Sequence, residues 1–142
     1  MTKIFKLISL LYLIINSLSI AIADENFFNK GLKLFKDKKY EDARFMFERG
    51  IVFNPKDSNS YLYLAKIYNF KKNDNQEEKN LNTVILLNPK NEEAILKLAL
   101  LKIRKSNYEE TKKLIKNFKV VCKKMCNKTS DLQQKLDTVL KK

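Results

Sequence analysis

The sequence contains no histidine and no tryptophan, and its 142 residues include only two glycines, two prolines and two cysteines. The absence of histidine removes the commonest general base and the commonest metal ligand of proteins. The scarcity of glycine and proline disfavours an all-β fold and a glycine-rich phosphate loop, because both need these residues in their turns. Two cysteines and scattered carboxylates remain, so we expect a protein that is not an enzyme and has no cofactor and no metal.

Apolar residues make up 44% of the chain, which is enough for a hydrophobic core and argues against disorder. A chain of this length forms one small domain. From residue 24 onward the apolar residues recur at spacings of three and four, which is the period of an α-helix. The sequence therefore predicts an all-α fold.

The first 23 residues have the layout of a secretory signal peptide. Lys3 and Lys6 precede an apolar run over residues 7–20, and Ala21-Ile22-Ala23 fits the small-x-small rule for cleavage. The run is short for a membrane span, which needs about 20 residues. We interpret residues 1–23 as a signal peptide cleaved after Ala23, with an uncleaved membrane anchor as the alternative. An exported protein, periplasmic or elsewhere in the cell envelope, is therefore expected.

The remaining sequence repeats with a period of 34 residues. Asn54-Pro55-Lys56 recurs as Asn88-Pro89-Lys90, and a Leu-x-Leu-Ala sequence follows each copy at the same distance. The period divides the chain into three blocks, each with two helical stretches separated by a polar turn: residues 24–57, 58–91 and 92–125. A small residue occupies the same position in the first helical stretch of every block: Gly31, Ala65 and Ala99.

Paired helices at this period are typical of a solenoid of stacked repeats. The small residue of the first helix, the start Tyr40-Glu41-Asp42-Ala43 of the second helix and the Asn-Pro turn resemble the tetratricopeptide repeat (TPR) family over about 102 of 142 residues. Asp74 and Glu77 depart from the family pattern in the second block, and Lys123 replaces the proline in the third. The resemblance implies a right-handed α-solenoid of three TPR-like helix–turn–helix repeats.

A last helix is predicted over residues 129–142. Ser130-Asp131-Leu132-Gln133 has the form of a capping box at a helix start. Leu132, Leu136, Val139 and Leu140 then form one apolar stripe. We interpret this segment as a C-terminal capping helix that covers the open end of the stack.

The resemblance also implies a concave groove that is lined by the first helix of each repeat and binds a peptide or helix. The residues expected to face this groove are Phe28, Leu32, Phe35, Leu62, Lys66, Asn69, Phe70, Leu96, Leu100, Ile103 and Arg104. Family members that clamp a terminal carboxylate use Lys, Asn and Arg at these positions, whereas most positions here are apolar. We therefore expect an apolar or amphipathic helical peptide as ligand. Two alternatives stay open: the residues form ordinary core, or the groove joins two copies of the chain.

Cys122 and Cys126 lie where the first two blocks have their Asn-Pro turn. In an exported protein so close a pair predicts a disulfide, which here would staple the third turn. Free thiols are an alternative. A redox pair usually has two intervening residues and a metal site needs more ligands, so both are weaker interpretations.

The chain is strongly basic, with 29 basic and 16 acidic residues and a net charge of +13. Loss of Lys3 and Lys6 with the signal peptide would leave 27 basic residues and a net charge of +11. Most lysines are expected on solvated surface, although the charge also favours contact with an anionic membrane surface or an acidic partner. Nucleic acid is not an expected partner of an exported protein.

The function predicted from the sequence is a protein–protein interaction scaffold or adaptor in the cell envelope. A structural subunit that self-associates through the apolar groove is one alternative. A basic module at the membrane surface is the other.

Overall fold

A computed structural model of the chain describes residues 27–141. The predicted signal peptide and its cleavage site lie outside the described residues. Helix α1 is described over residues 27–36. It is followed by α2 (Tyr40–Phe53), α3 (Ser58–Phe70), α4 (Asp74–Leu87), α5 (Glu92–Arg104), α6 (Tyr108–Val121) and α7 (Lys128–Leu140). The part of the chain that the structure describes contains no strand.

The described residues divide into two compact units, of which the first ends at Ser60 and the second begins at Tyr61. Within residues 27–141, no helix has both the length and the apolar content that a membrane span requires.

In the first unit, α1 and α2 approach each other closely at Gly31. Phe47 of α2 is fully buried, and three atoms of its ring lie 2.7, 2.9 and 3.0 Å from the place that a Cβ atom at Gly31 would occupy. A side chain at Gly31 would therefore collide with the ring. The rings of Phe27 and Phe53 stack with centroids 5.3 Å apart and add a second contact between the two helices.

The repeated Asn-Pro-Lys sequence forms the same turn twice. The side-chain oxygen of Asn54 accepts a hydrogen bond from the backbone N–H of Lys56 (3.2 Å), and Asn88 accepts one from Lys90 (3.3 Å). The backbone N–H of each asparagine also donates to the carbonyl four residues earlier, which ends the preceding helix. An asparagine that bonds the backbone two residues later is the Asx turn, which explains why the motif recurs.

The turn inside each hairpin is made without glycine. Lys38, Lys72 and Ser106, one period apart, have positive φ angles of 60°, 55° and 57°. In each case the next N–H donates to the carbonyl five residues earlier, as from Lys39 to Leu34 at 2.9 Å. This is the Schellman ending of a helix, which usually has glycine at the left-handed position.

The second unit has two clusters of buried apolar residues. One joins α3, α4 and α5 and consists of Leu62, Ala65, Leu81, Val84, Ala94, Leu98 and Leu101. The other joins α5, α6 and α7 and consists of Ile95, Ala99, Ile115, Phe118, Leu132 and Leu136. Helix α7 thus covers the apolar side of the α5–α6 hairpin through Leu132, Leu136 and Val139, as predicted, whereas Leu140 of the predicted stripe is 48% exposed.

The start of α7 differs from the prediction. The helix begins at Lys128, after Asn127, and Asn127 makes no side-chain capping bond. Ser130 lies inside the helix and donates its hydroxyl to the carbonyl of Asn127 (3.1 Å). The predicted capping box at Ser130 is therefore wrong, because the preceding turn already returns the backbone to helical angles at residue 127.

That turn contains a disulfide between Cys122 and Cys126, whose Cα atoms are 5.2 Å apart. Cys122 occupies the position that Asn54 and Asn88 hold in the earlier turns. The carboxylate of Glu92 accepts backbone N–H bonds from Lys124 (3.0 Å) and Met125 (2.7 Å). A covalent bond and a distant carboxylate thus replace the local Asx turn in the third block.

Candidate functional site

Three of the expected groove residues lie in the first unit, on α1, and all three are half-buried: Phe28, Leu32 and Phe35. The ring of Phe28 lies 5.7 Å from that of Phe47, and the ring of Phe35 lies 5.5 Å from that of Tyr40. Both aromatic residues thus contribute to the packing of α1 on α2.

The apolar groove residues of the second unit have different environments. Leu62 is only 6% exposed and belongs to the core between α3 and α5, so its side chain does not face a ligand. Leu96 is half-buried and packs against the core of α5, α6 and α7. Phe70, at the end of α3, is 57% exposed.

Leu100, Ile103 and Arg104 are brought together on one side of α5. They line an open depression of about 660 Å³ whose opposite wall is α7. Leu100, Ile103 and Val139 supply the apolar surface, and the charged and polar lining comes from Arg104, Asp131, Gln134, Lys135 and Thr138. The residues of α7 were not among those expected from the sequence, although their spacing of three and four places them on one side of a helix.

Arg104 is held by two carboxylates of α4. Its Nη2 lies 2.7 Å from Asp74 Oδ1 and 2.7 Å from Glu77 Oε2. Asn69 donates to both oxygens of Glu77 at 3.0 Å. Two of the expected polar groove residues, Asn69 and Arg104, are therefore engaged by residues of their own chain.

Glu77 is buried, with 2% of its surface exposed, at a position where the other two blocks have Ala43 and Thr111. A buried carboxylate is costly unless charged or hydrogen-bonding partners surround it. Asn69 and Arg104 supply those partners. Glu77 departs from the small residue of the repeat pattern. Its buried carboxylate is stabilised by Asn69 and Arg104, which the sequence analysis expected to face the groove.

A second ion-pair network joins α4, α5 and α6. Lys102 is 6% exposed, and its Nζ lies 2.7 Å from Glu78 and 2.6 Å from Glu110. Lys105 adds a contact of 2.6 Å to Glu78. Hydrogen bonds from Lys102 and then Lys105 hold the pKa of Glu78 below its ordinary value.

The pKa of Asp74 is also lowered, mainly by its hydrogen bond from Arg104. The same hydrogen bond raises the pKa of Arg104. Lowered carboxyl pKa values and a raised guanidinium pKa favour the ionised forms of Asp74, Glu78 and Arg104 at neutral pH.

Neither a protein-family model nor a curated protein sequence matches the chain. Solved structures do. The Arabidopsis OM64 TPR domain superposes with a TM-score of 0.72 at 21% identity, covering 82% of this chain and 95% of that one. The TPR2B domain of yeast Sti1 in complex with pHsp70 has a TM-score of 0.73 at 16% identity, covering 82% and 98%. The type III secretion translocator chaperone SycD of Yersinia enterocolitica has a TM-score of 0.75 at 14% identity, covering 83% and 86%.

The chain has the tetratricopeptide-repeat fold. The all-α solenoid class that the sequence predicted is thereby confirmed. At these identities the similarity establishes the fold alone.

In this TPR fold, Lys66, the remaining cation expected in the groove, also forms an ion pair within its own chain. Lys66 Nζ lies 3.0 Å from Glu93 Oε1 and 4.4 Å from the centre of the Tyr63 ring. Lys97 approaches the same carboxylate at 3.7 Å. Lys66 thus contacts Tyr63 and Glu93, neither of which the sequence analysis singled out. Tyr63 lies three residues before Lys66 on α3, whereas Glu93 is on α5, so only the packing of the two helices brings Glu93 to Lys66.

Proposed function

We propose that the protein is a non-enzymatic interaction adaptor of the cell envelope, and that it binds an apolar or amphipathic helical segment of another polypeptide. The observation that supports this most directly is the depression between α5 and α7. Its apolar surface, formed by Leu100, Ile103 and Val139, suits an anchoring side chain of the ligand. Its rim carries both signs of charge, which suits the polar side of an amphipathic helix.

The similar structures support the adaptor class. The yeast Sti1 domain forms a complex with pHsp70, and the Yersinia protein is a translocator chaperone. Both descriptions concern association with another polypeptide. We transfer only that class of activity to this chain.

The paired cations support an apolar ligand over a carboxylate-terminated one. A ligand carboxylate would have to displace Glu93 from Lys66, or Asp74 and Glu77 from Arg104. Removing a partner from the buried Glu77 carboxylate would cost more than a surface ion pair contributes. Apolar contact requires no such exchange.

The envelope location is part of the proposal and depends on the signal segment over residues 1–23. N-terminal sequencing of protein recovered from outside the cytoplasm is expected to begin at Asp24. A sequence beginning at Thr2 would contradict it.

A site-specific photo-cross-linker tests the binding site. Thr138 lines the depression, whereas its neighbour Asp137 is exposed on α7 outside the lining. A photoreactive residue at position 138 in the full chain, irradiated in intact cells, is expected to give one discrete adduct with another polypeptide. The same residue at position 137 is the matched control and is expected to give none.

The masses of the adducts separate the proposal from its rival. An adduct of twice the chain mass at position 138 would identify a self-associating structural subunit and reject the adaptor. Equal labelling at positions 137 and 138, or no labelling at either, would reject the depression as the binding site.

A further inference from the structure

The segment from Thr111 to Ser130 has the most one-sided charge of the chain. Its 20 residues contain seven lysines and no acidic residue, so it contributes +7 to a net charge of +13. The lysines are Lys112, Lys113, Lys116, Lys119, Lys123, Lys124 and Lys128. The segment comprises most of α6 and the disulfide turn that follows it.

The structure places Lys112, Lys113, Lys116 and Lys119 on the outer side of α6, Lys123 and Lys124 in the turn that follows, and Lys128 at the start of α7. The inner side of the helix buries Thr111, Ile115 and Phe118, in the packing with α5 and α7. All seven lysines are exposed. Val120 lies among them and is 79% exposed, as are its repeat equivalents Val52 (77%) and Leu86 (81%). We call the exposed residues Lys113, Lys116, Lys119, Val120, Lys123 and Lys124 the α6 lysine face.

The lysines of this face lack carboxylate partners. Of the seven lysines in the segment, only Lys112 and Lys128 form ion pairs within the described residues, at 2.7 Å to Glu109 and 3.3 Å to Asp131. Glu109 and Glu92 are the acidic groups that approach the two ends of the face, near Lys113 and Lys124. Between those ends the positive charge is uncompensated.

The repeat provides an internal comparison. The third block has lysine at positions 112, 113, 116, 119, 123 and 124, a net charge of +6. The equivalent residues of the second block are Glu78, Lys79, Asn82, Ile85, Pro89 and Lys90, which sum to +1. Those of the first block are Arg44, Phe45, Glu48, Ile51, Pro55 and Lys56, which also sum to +1. The same hairpin thus forms without these lysines, so the fold does not require them.

We propose that the α6 lysine face binds the surface of an anionic phospholipid membrane. Its charge is spread along a whole helix and the following turn, which fits an extended anionic surface better than a compact anion. Clusters of four to eight basic residues on a helix are typical of such contacts, and each lysine near an anionic surface strengthens binding about fivefold. Val120 supplies an apolar side chain that can enter the headgroup region between lysine stems.

Vesicle binding tests the proposal. The full chain is mixed with vesicles of phosphatidylcholine alone, or of equal parts phosphatidylcholine and phosphatidylglycerol, and the bound fraction is measured by co-sedimentation. A chain that retains residues 1–23 has the apolar run 7–20, which would bind both vesicles. The quantity compared is therefore the ratio of the affinities for the anionic and the neutral vesicles.

The test variant carries Lys116→Gln, Lys119→Gln and Lys123→Gln. The control carries Lys33→Gln, Lys79→Gln and Lys90→Gln, which remove the same charge from exposed positions elsewhere. The test variant is expected to lower the ratio roughly a hundredfold, from about fivefold for each of the lysines. The control is expected to lower it far less, and the wild-type ratio is expected to fall as salt is added.

Three results would overturn the proposal. Equal losses in the two variants would show that only the total charge matters. A wild-type ratio near one would exclude the anionic membrane. Binding of polyglutamate or duplex DNA that depends on the same lysines, without preference for anionic vesicles, would assign the face to another macromolecule. The photo-cross-link at position 138 does not involve this face. Its outcome therefore tests the adaptor function independently of the vesicle-binding experiment.

Discussion

At the scale of single residues, the size of the small residue in each first helix follows the size of the side chain opposite it. Gly31 faces the ring of Phe47, whose equivalents one and two periods later are Leu81 and Ile115. Ala65 shares a buried cluster with Leu81, and Ala99 shares one with Ile115. Glycine is therefore needed in the first block, because only there is an aromatic ring in that position.

Two glycine substitutions test this account. Gly31→Ala is expected to destabilise the protein by about 1–3 kcal/mol, because its methyl group overpacks the buried Phe47 ring. Gly50→Ala is the matched control: its nearest atoms would be Phe27 Cβ at 3.5 Å and Ser60 Oγ at 3.6 Å, an ordinary contact. That change is expected to stabilise α2 by up to about 1 kcal/mol, the difference in helix propensity. Urea unfolding measures both, and equal effects would contradict the packing account.

Residue identity alone did not predict the role of Glu77. The sequence marked it as a departure from the small residue that Ala43 and Thr111 provide. Its partners, Asn69 and Arg104, come from the ends of two other helices and were interpreted as ligand-facing. Which polar groups meet in a buried position depends on the packing of the helices, which a local pattern does not contain.

At the scale of elements, the third turn is built differently from the first two. Asn54 and Asn88 close their turns with their own side chains, whereas the third turn uses the Cys122–Cys126 disulfide and the Glu92 carboxylate. Burial raises the pKa of Glu92, but the backbone hydrogen bonds from the turn outweigh it and leave this pKa lowered. Since α7 begins directly after this turn, its position depends on both supports.

A double-mutant cycle tests the two supports. Replacing Cys122 and Cys126 by serine is expected to destabilise the protein by about 2 kcal/mol, the loop-closure value for so short a loop. Glu92→Gln is expected to destabilise it as well, because it removes the charge that accepts the N–H groups of Lys124 and Met125. The combined variant is expected to lose less than the sum, because both supports hold one turn. Urea unfolding of the four proteins gives the coupling, and simple additivity would show that the supports act independently.

At the scale of the whole molecule, charge limits stability in acid. The chain carries 29 basic and 16 acidic residues, so protonation of the carboxylates removes every negative charge and leaves strong self-repulsion. The ion-pair networks also lose their contribution to stability as the pH falls. The pKa values of Asp74 and Glu78 are lowered from ordinary values of 3.8 and 4.5. Because the unfolded chain binds these protons first, their stabilisation is present above those values and is lost as the pH falls through the lower folded values.

The expected result is a free energy of unfolding that falls steadily from about pH 5 to about pH 3. Glu78→Gln, which cannot titrate, is expected to be less stable than the wild type at neutral pH and to lose less stability over the same range. Denaturant titrations at a series of pH values provide the measurement. Parallel curves for the two proteins would show that Glu78 does not contribute to the acid response.

The helical hairpins and their class of fold followed from the sequence, because they depend on local information. Helical periodicity sets the pairs of helices, and Asn-Pro-Lys closes its turn with contacts two residues apart. The candidate site was predicted less completely from the sequence. Leu100, Ile103 and Arg104 were anticipated, but their partners on α7 were not, since that wall is formed only when α7 packs against α5.

The sequence by itself determined the 34-residue period, the paired helices, the close approach at Gly31 and the excess of positive charge, because each is visible in residues near one another or in a simple sum. Only the tertiary structure decided that Leu62 is core, that Arg104 is bound by Asp74 and Glu77, and that the lysines of the α6 lysine face are exposed without a carboxylate partner among the described residues. These facts depend on which side of each helix is covered, and that is set by contacts between residues far apart in the chain.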